Sequence, residues 1–240
     1  MYIFLILFIC FFNWNLLFYI RDRYRNYKNF LCYYVFGDRM KLKFLSMALG
    51  VIKNDNPNIT DVELDEYRYG LEGVYLTIQK TIVIFPIALL LGIFKELIIV
   101  LIAFNLIRKY ACGMHASNSF SCLIASSALF LFSSYIGKII KISIILKFLL
   151  ICICLICIFI YAPADTKKAP IIRLEKRLLK KRKAFISALL LSLIILFMKD
   201  YVLSNLILFG MIIEVILILP ITYHMFNHSY NNYKTYGLNF

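Results

Sequence analysis

The sequence predicts an all-α polytopic membrane protein. About six core transmembrane helices, one extra N-terminal span and a cavity facing the cytoplasm are expected. Three observations carry this. The 240 residues are 62% hydrophobic with a mean hydropathy of +0.80, well above the apolar share of soluble domains. The apolar residues come in long runs broken by short polar connectors. The formal net charge of +14 is gathered in blocks, as basic loops on the cytoplasmic side of a bilayer are. That patterning makes nucleic acid a poor partner and membrane lipid the natural one.

The chain opens on MYIFLILFICFFNWNLLFYI. No basic residue precedes the run and no small-residue cleavage site ends it, so it reads as a span rather than a secretory signal. RDRYRNYK follows at once, which sets Met1 outside. Arg21 to Lys43 holds seven Lys/Arg and two Asp. FLSMALGVI is too short to span and reads as an amphipathic surface segment. Lys53 to Gly73 is polar with six acidic residues and opens on a turn-rich Asn/Pro cluster. Within it, Thr60 and Glu63 form a capping box that predicts a helix start. The expected organisation is residues 1–42 as N-terminal span and basic linker, and residues 43–240 as one membrane domain.

The main apolar runs are Val74–Phe94, Leu97–Ile107, Ser119–Ile136, Ile142–Tyr161, Ala184–Met198 and Tyr201–Tyr223. Lys95-Glu96, GKIIK at 137–141 and Lys199-Asp200 are read as connectors. Ala162–Lys183 is read as a long loop, with nine Lys/Arg against Asp165 and Glu175. The positive-inside rule places it in the cytoplasm. Counting crossings from it places residues 108–122, the acidic segment and the C-terminus on the same side.

RKYACGMHASNSFSC, Arg108 to Cys122, concentrates polar and reactive residues between two apolar runs. Irregular backbone at membrane depth survives only when buried in protein or lining a wet cavity. On one straight helix His115 and Cys122 would lie about 10.5 Å apart, too far for contact. ASNS, however, is a good helix start with Asn118 or Ser119 as N-cap. A helix beginning there carries Cys122 in its first turn, and Gly113 permits a bend ahead of His115. Helix N-termini and nearby cations favour a thiolate. Free N–H groups at the same terminus can stabilise an oxyanion. A nucleophile beside a base is the general arrangement for covalent acyl transfer. The bland alternative is that Cys122 packs and His115 is structural.

Zinc is a weaker reading. Cys112, His115 and Cys122 would be three ligands, but neither Cys-x-x-Cys nor His-Glu-x-x-His occurs. His224 and His228 read as interfacial tail residues. Of the seven cysteines, Cys152, Cys154 and Cys157 sit in an apolar run at spacings that point them to different faces, so they read as packing residues. No cofactor is called for.

RKYACGMHASNSFSC resembles the active-site region of AgrB-type accessory gene regulator proteins, membrane cysteine endopeptidases of Gram-positive quorum sensing. Arg108, Gly113, His115, Ala116 and Cys122 carry that likeness. YAPADTKKAPI resembles the family's second signature through Pro163, Asp165, Lys167, Lys168 and Pro170, and EYRYGLEGVYLTIQK resembles the segment ahead of its first core helix. The likeness runs from about Lys43 to the C-terminal region. Cys112-Gly113 stands where the family often has two glycines, Ala169 where some members carry a further lysine, and Met1–Ile20 lies outside it. The resemblance implies cleavage of the C-terminal tail of an AgrD-like propeptide and its cyclisation to a thiolactone or lactone signal through an acyl-enzyme thioester. It implies His115 and Cys122 as catalytic, with Arg108, Gly113, Lys167 and Lys168 serving the oxyanion or the substrate. It also implies a homodimer in the bacterial cell membrane with its active site facing the cytoplasm. The rival class is a non-catalytic transporter or scaffold subunit, for which Lys80, Lys147 and Glu214 are the only charges in place.

The topology is testable with a thiol introduced as Glu175→Cys. A membrane-impermeant maleimide is expected to label it only once the cytoplasmic face is opened. Labelling from outside intact cells would overturn the helix count.

Overall fold

The computed structural model describes residues 38–114, 119–166, 170–226 and 228–236. The expected N-terminal span Met1–Ile20 lies outside them, as do His115, Lys167 and Lys168. Eight α-helices follow in order: α1 Asp38–Asp55, α2 Asp61–Leu90, α3 Phe94–Ala111, α4 Ser119–Ile139, α5 Ile144–Tyr161, α6 Leu174–Phe197, α7 Tyr201–Ile218 and α8 Pro220–Met225. A 3₁₀ turn, Asn232–Tyr236, comes last. The described residues contain no strand; an isolated bridge joins Cys112 and Ala164.

Local signals in the sequence fix most helix ends. The capping box forms as expected. The Thr60 N–H donates to Glu63 Oε2 at 3.0 Å, and the Glu63 N–H donates back to Thr60 Oγ1 at 3.3 Å. α5 starts on Ser143, whose hydroxyl accepts from the Leu146 N–H. Asp200 caps α7 by accepting from the N–H groups of Val202 and Leu203. Its place in a connector is thereby explained, since a free carboxylate at a helix N-terminus satisfies orphan donors and meets the helix dipole.

Several boundaries differ from the sequence reading; the first three residues of the expected 137–141 connector, for one, close α4. The amphipathic segment belongs to a full helix, α1. Lys95 and Glu96 are not a connector: the turn falls earlier, at Gly92 (φ 64°), and both residues open α3. α3 therefore runs 18 residues rather than the eleven of Leu97–Ile107. The stretch from Leu174 to Lys183 is not loop but the first turns of α6, because Leu, Lys, Arg and Glu are all strong helix formers once Pro170 is passed. The run Tyr201–Tyr223 is broken at Leu219, where Pro220 ends α7 and opens α8 at a position that needs no N–H.

Four helices contain stretches long and apolar enough to cross a bilayer: Glu63–Leu90, Cys122–Ile139, Ile144–Tyr161 and Tyr201–Ile218. α3 and α6 carry charge over part of their length. The apolar face of α5 is bare of protein: Ile145, Phe148, Leu149, Ile156, Phe159 and Ile160 are all exposed. In water such a surface would be a large apolar patch; in a bilayer it meets lipid. The protein is a multi-pass membrane protein.

Two compact units make up the described chain. The first holds α1, α2 as far as Ile87, and α4 as far as Ala128. In it Lys41 pairs with Glu72 at 3.3 Å and Phe44 stacks near Tyr75. The second runs from Ala88 through α3 and from Leu129 to the C-terminal segment. It is organised on α7, which packs against α3, α5 and α6 and buries eleven of its 18 residues. α3 faces it with Leu97, Val100, Ala103, Ile107 and Ala111, a stripe at helical spacing. The closest approach is at Gly210. A Cβ there would stand 2.7 Å from Ala103 Cβ and 2.8 Å from the Val100 carbonyl oxygen. Small residues at such crossings let backbones meet where no hydrophobic effect drives helices together.

Gly210→Ala should therefore cost about 1–3 kcal/mol through overpacking, and Gly210→Leu more. Gly50→Ala, in α1 with nothing within 4 Å, should be neutral or stabilising by up to about 1 kcal/mol. Thermal unfolding of the purified protein in detergent, followed by far-UV circular dichroism, compares them.

Candidate active site

The second unit holds a turn built at the end of α3. The chain leaves the helix through Cys112 at φ 61° and Gly113 at φ 113°. Only glycine fits the second position, for conformation and for space. A Cβ on Gly113 would lie 2.2 Å from Arg108 Nη1 and 3.1 Å from the Leu217 carbonyl oxygen. Arg108, one turn back in α3, folds over this bend. Its Nη2 donates to the carbonyls of Gly113 at 3.1 Å and Met114 at 2.9 Å. Its Nη1 lies 3.6 Å from Glu214 Oε2 in the middle of α7, with the arginine side chain 14% exposed and the glutamate 0%.

The turn is also tied by its own backbone. The Gly113 N–H donates to the Ala164 carbonyl at 2.8 Å, the Ala164 N–H to the Ala111 carbonyl at 2.9 Å, and the Met114 N–H to the Leu217 carbonyl at 3.2 Å. The two sequence motifs thus meet as a short parallel bridge. Lys180 of α6 adds a contact, its Nζ 3.2 Å from Cys112 Sγ.

Asp165 anchors the second motif from below. It is buried, and its carboxylate accepts from the N–H groups of Ile171 at 3.3 Å, Asn232 at 3.1 Å and Tyr233 at 3.1 Å. Arg177 stands 4.0 Å from it and stacks 3.9 Å from the centre of the Tyr233 ring. Tyr223 donates its hydroxyl to the Ala164 carbonyl at 3.2 Å, and Tyr230 donates to that of Tyr161 at 3.5 Å. Burial pushes the Tyr230 phenol up to about 12, so it stays a donor at any physiological pH.

Cys122 belongs to the first unit. It is buried in the first turn of α4, where the helix-start reading expects it. The hydroxyls of Ser126 and Ser127, one turn on, donate to the carbonyls of Cys122 at 2.6 Å and Leu123 at 2.7 Å. Of the site residues read from sequence, Arg108 and Gly113 are in direct contact and Cys122 opens α4. His115, Lys167 and Lys168 lie outside the described residues. Sequence reasoning missed the partnership of Arg108 with Glu214 and the joint anchoring by Asn232, Tyr233 and Tyr223. A carboxylate alone in an apolar helix was the one available signal for Glu214, since intramembrane charges need partners.

The model of the family described as "AgrB: Accessory gene regulator B" matches residues 39–218. The chain belongs to the AgrB family. It is 38% identical to accessory gene regulator protein B of Staphylococcus aureus over 165 residues, 68% of this chain and 86% of that protein. An AgrB-like protein of Clostridium acetobutylicum is 29% identical over 197 residues, 82% of this chain and 94% of the other. One of Listeria innocua is 31% identical over 169 residues, 70% and 83%. No solved structure matches. Membership of the AgrB family gives the protein a role in the accessory gene regulator system of quorum sensing and implies involvement with AgrD. The family match includes Arg108, Gly113, Cys122, Asp165 and Glu214; Asn232 and Tyr233, which hold Asp165, fall beyond it.

Asp165→Ala removes the acceptor of three buried N–H groups at once. At about 1–3 kcal/mol for each unsatisfied group, discounted for relaxation, a loss of about 3 kcal/mol is expected. Its signature is a lowered midpoint in thermal unfolding, with Asp165→Asn falling in between.

Proposed function

We propose that this protein is a membrane cysteine endopeptidase that removes the C-terminal tail of an AgrD-like propeptide and promotes its cyclisation. The observation that carries the reading is the position of Cys122 in the first turn of α4, seven residues after His115 and beyond a turn that Arg108 holds. Residues 43–240 form the peptidase domain, and its active site opens to the cytoplasm.

In this reading His115 takes the thiol proton as Cys122 Sγ attacks the scissile carbonyl. The oxyanion is stabilised by backbone N–H groups at the start of α4. The C–N bond breaks, the proton passes from His115 to the leaving amine of the tail, and a thioester to Cys122 remains. A thiol or hydroxyl within the propeptide then attacks the thioester, forms the ring and returns the proton and thiol to Cys122. Acyl exchange keeps the activation that hydrolysis would discard, which requires water to be excluded from the intermediate. Lys167 and Lys168 attract the acidic tail. The transporter alternative is weakened because two of the intramembrane charges it would need are already committed: Lys147 hydrogen-bonds Ser204, and Glu214 pairs with Arg108.

Co-expressed with its propeptide, the wild type should release the shortened tail and form a hydroxylamine-sensitive adduct. Cys122→Ala, Cys122→Ser and His115→Ala should each abolish release, because a hydroxyl is a far weaker nucleophile than a thiolate. Cys152→Ser should retain it. Processing by Cys122→Ala at the wild-type rate would end the thioester reading and favour a scaffold.

A further inference from the structure

We propose that Glu214 is a positioning residue for the reaction: from the core of α7 it fixes, through Arg108, the bend at Gly113 and Met114, the two residues that precede His115 in the sequence. The proposal rests on the reading of His115 as the base of Cys122.

Glu214 is fully buried in the most enclosed helix of the second unit, and neither of its carboxylate oxygens has a hydrogen-bond partner among the described residues. A carboxylate in such a place is costly unless a charge answers it. The charge within reach is Arg108 Nη1, at 3.6 Å. The same guanidinium is planar and rigid, so setting one nitrogen sets the others. Nη2 is thereby aimed at the carbonyls of Gly113 and Met114, the two residues immediately before His115. Nothing apolar at 214 would aim the guanidinium. A residue there for packing alone would not need to be acidic, and α7 is otherwise filled at this depth by Met211, Ile213, Val215 and Ile218.

Gly113 supports the same logic. The space a Cβ would occupy there is filled by Arg108 Nη1, the nitrogen nearest Glu214. Bend, guanidinium and carboxylate are therefore stacked in order. Leu217, three residues after Glu214 on α7, receives the Met114 N–H. α7 thus holds the turn twice: once by backbone, and once by charge through Arg108.

The test uses full-length protein in lipid nanodiscs with three variants: Glu214→Gln, His115→Ala and the combination of the two. Two quantities are read: kcat and KM for propeptide cleavage, and the rate of Cys122 alkylation by iodoacetamide against pH, followed by mass spectrometry of the Cys122 peptide. Glu214→Gln keeps the shape and removes the charge. It should lower kcat by about 10²-fold, the scale of a misplaced catalytic group, while KM changes little. It should move the pH profile of alkylation in the direction that His115→Ala moves it, and the combined variant should match His115→Ala alone. Arg108→Met/Glu214→Leu guards against a folding defect, because it removes both charges and leaves neither orphaned. It should fold, by circular dichroism and thermal unfolding, yet share the low kcat. Wild-type kcat in that folded pair, or an unmoved alkylation profile in Glu214→Gln, overturns the positioning role. An unmoved profile in His115→Ala overturns the parent reading instead.

Discussion

A largely enclosed guanidinium ties α3 to α7 in the second unit. Arg108 sits at the last turn of α3 with its charge turned inward against Glu214 of α7 and its second nitrogen spent on two backbone carbonyls. Each group makes the burial of the others tolerable. Glu214 alone would be an isolated charge in an apolar helix. The Gly113 and Met114 carbonyls, at a bend where helical bonding has stopped, would lack donors. Arginine suits the position because its donors lie in a fixed plane, whereas a lysine presents a compact point charge on a flexible stem.

The bend itself follows from this. A chain that leaves a helix near the membrane must satisfy its backbone within the protein. Here that is done by pairing residues 111–114 with Ala164 and Leu217 rather than by exposing them to solvent. Ala164 is held in its turn by Tyr223, and its neighbour Asp165 gathers three N–H groups from residues 171, 232 and 233. The two sequence motifs, and a tail more than sixty residues downstream, thus form one hydrogen-bonded assembly. The Asp165 carboxylate is a structural acceptor in it.

Helix α7 is the element against which the rest is measured. It packs on α3, α5 and α6, and its two glutamate-side features, the close approach at Gly210 and the charge at Glu214, are one helical turn apart. Between helices in lipid the association energy comes from packing and polar contacts, not from expulsion of water. The glycine that lets α3 and α7 touch therefore also sets the distance at which Glu214 can reach Arg108.

The all-helical membrane class, the capping box at Thr60 and the position of Cys122 in a first helical turn were set by the sequence alone. These are local matters, readable from hydropathy, caps and spacing. It misjudged ends where charge was mistaken for loop, at Lys95-Glu96 and at Leu174–Lys183, because a charged residue can lie on a helix as readily as off it and only packing decides. The meeting of Arg108 with Glu214, 106 positions apart, and of Gly113 with Ala164 lay beyond it. Which buried charge answers which depends on how α3 crosses α7, and that crossing is fixed by the shapes of Ala103 and Gly210 in contact, a relation that only the tertiary structure contains.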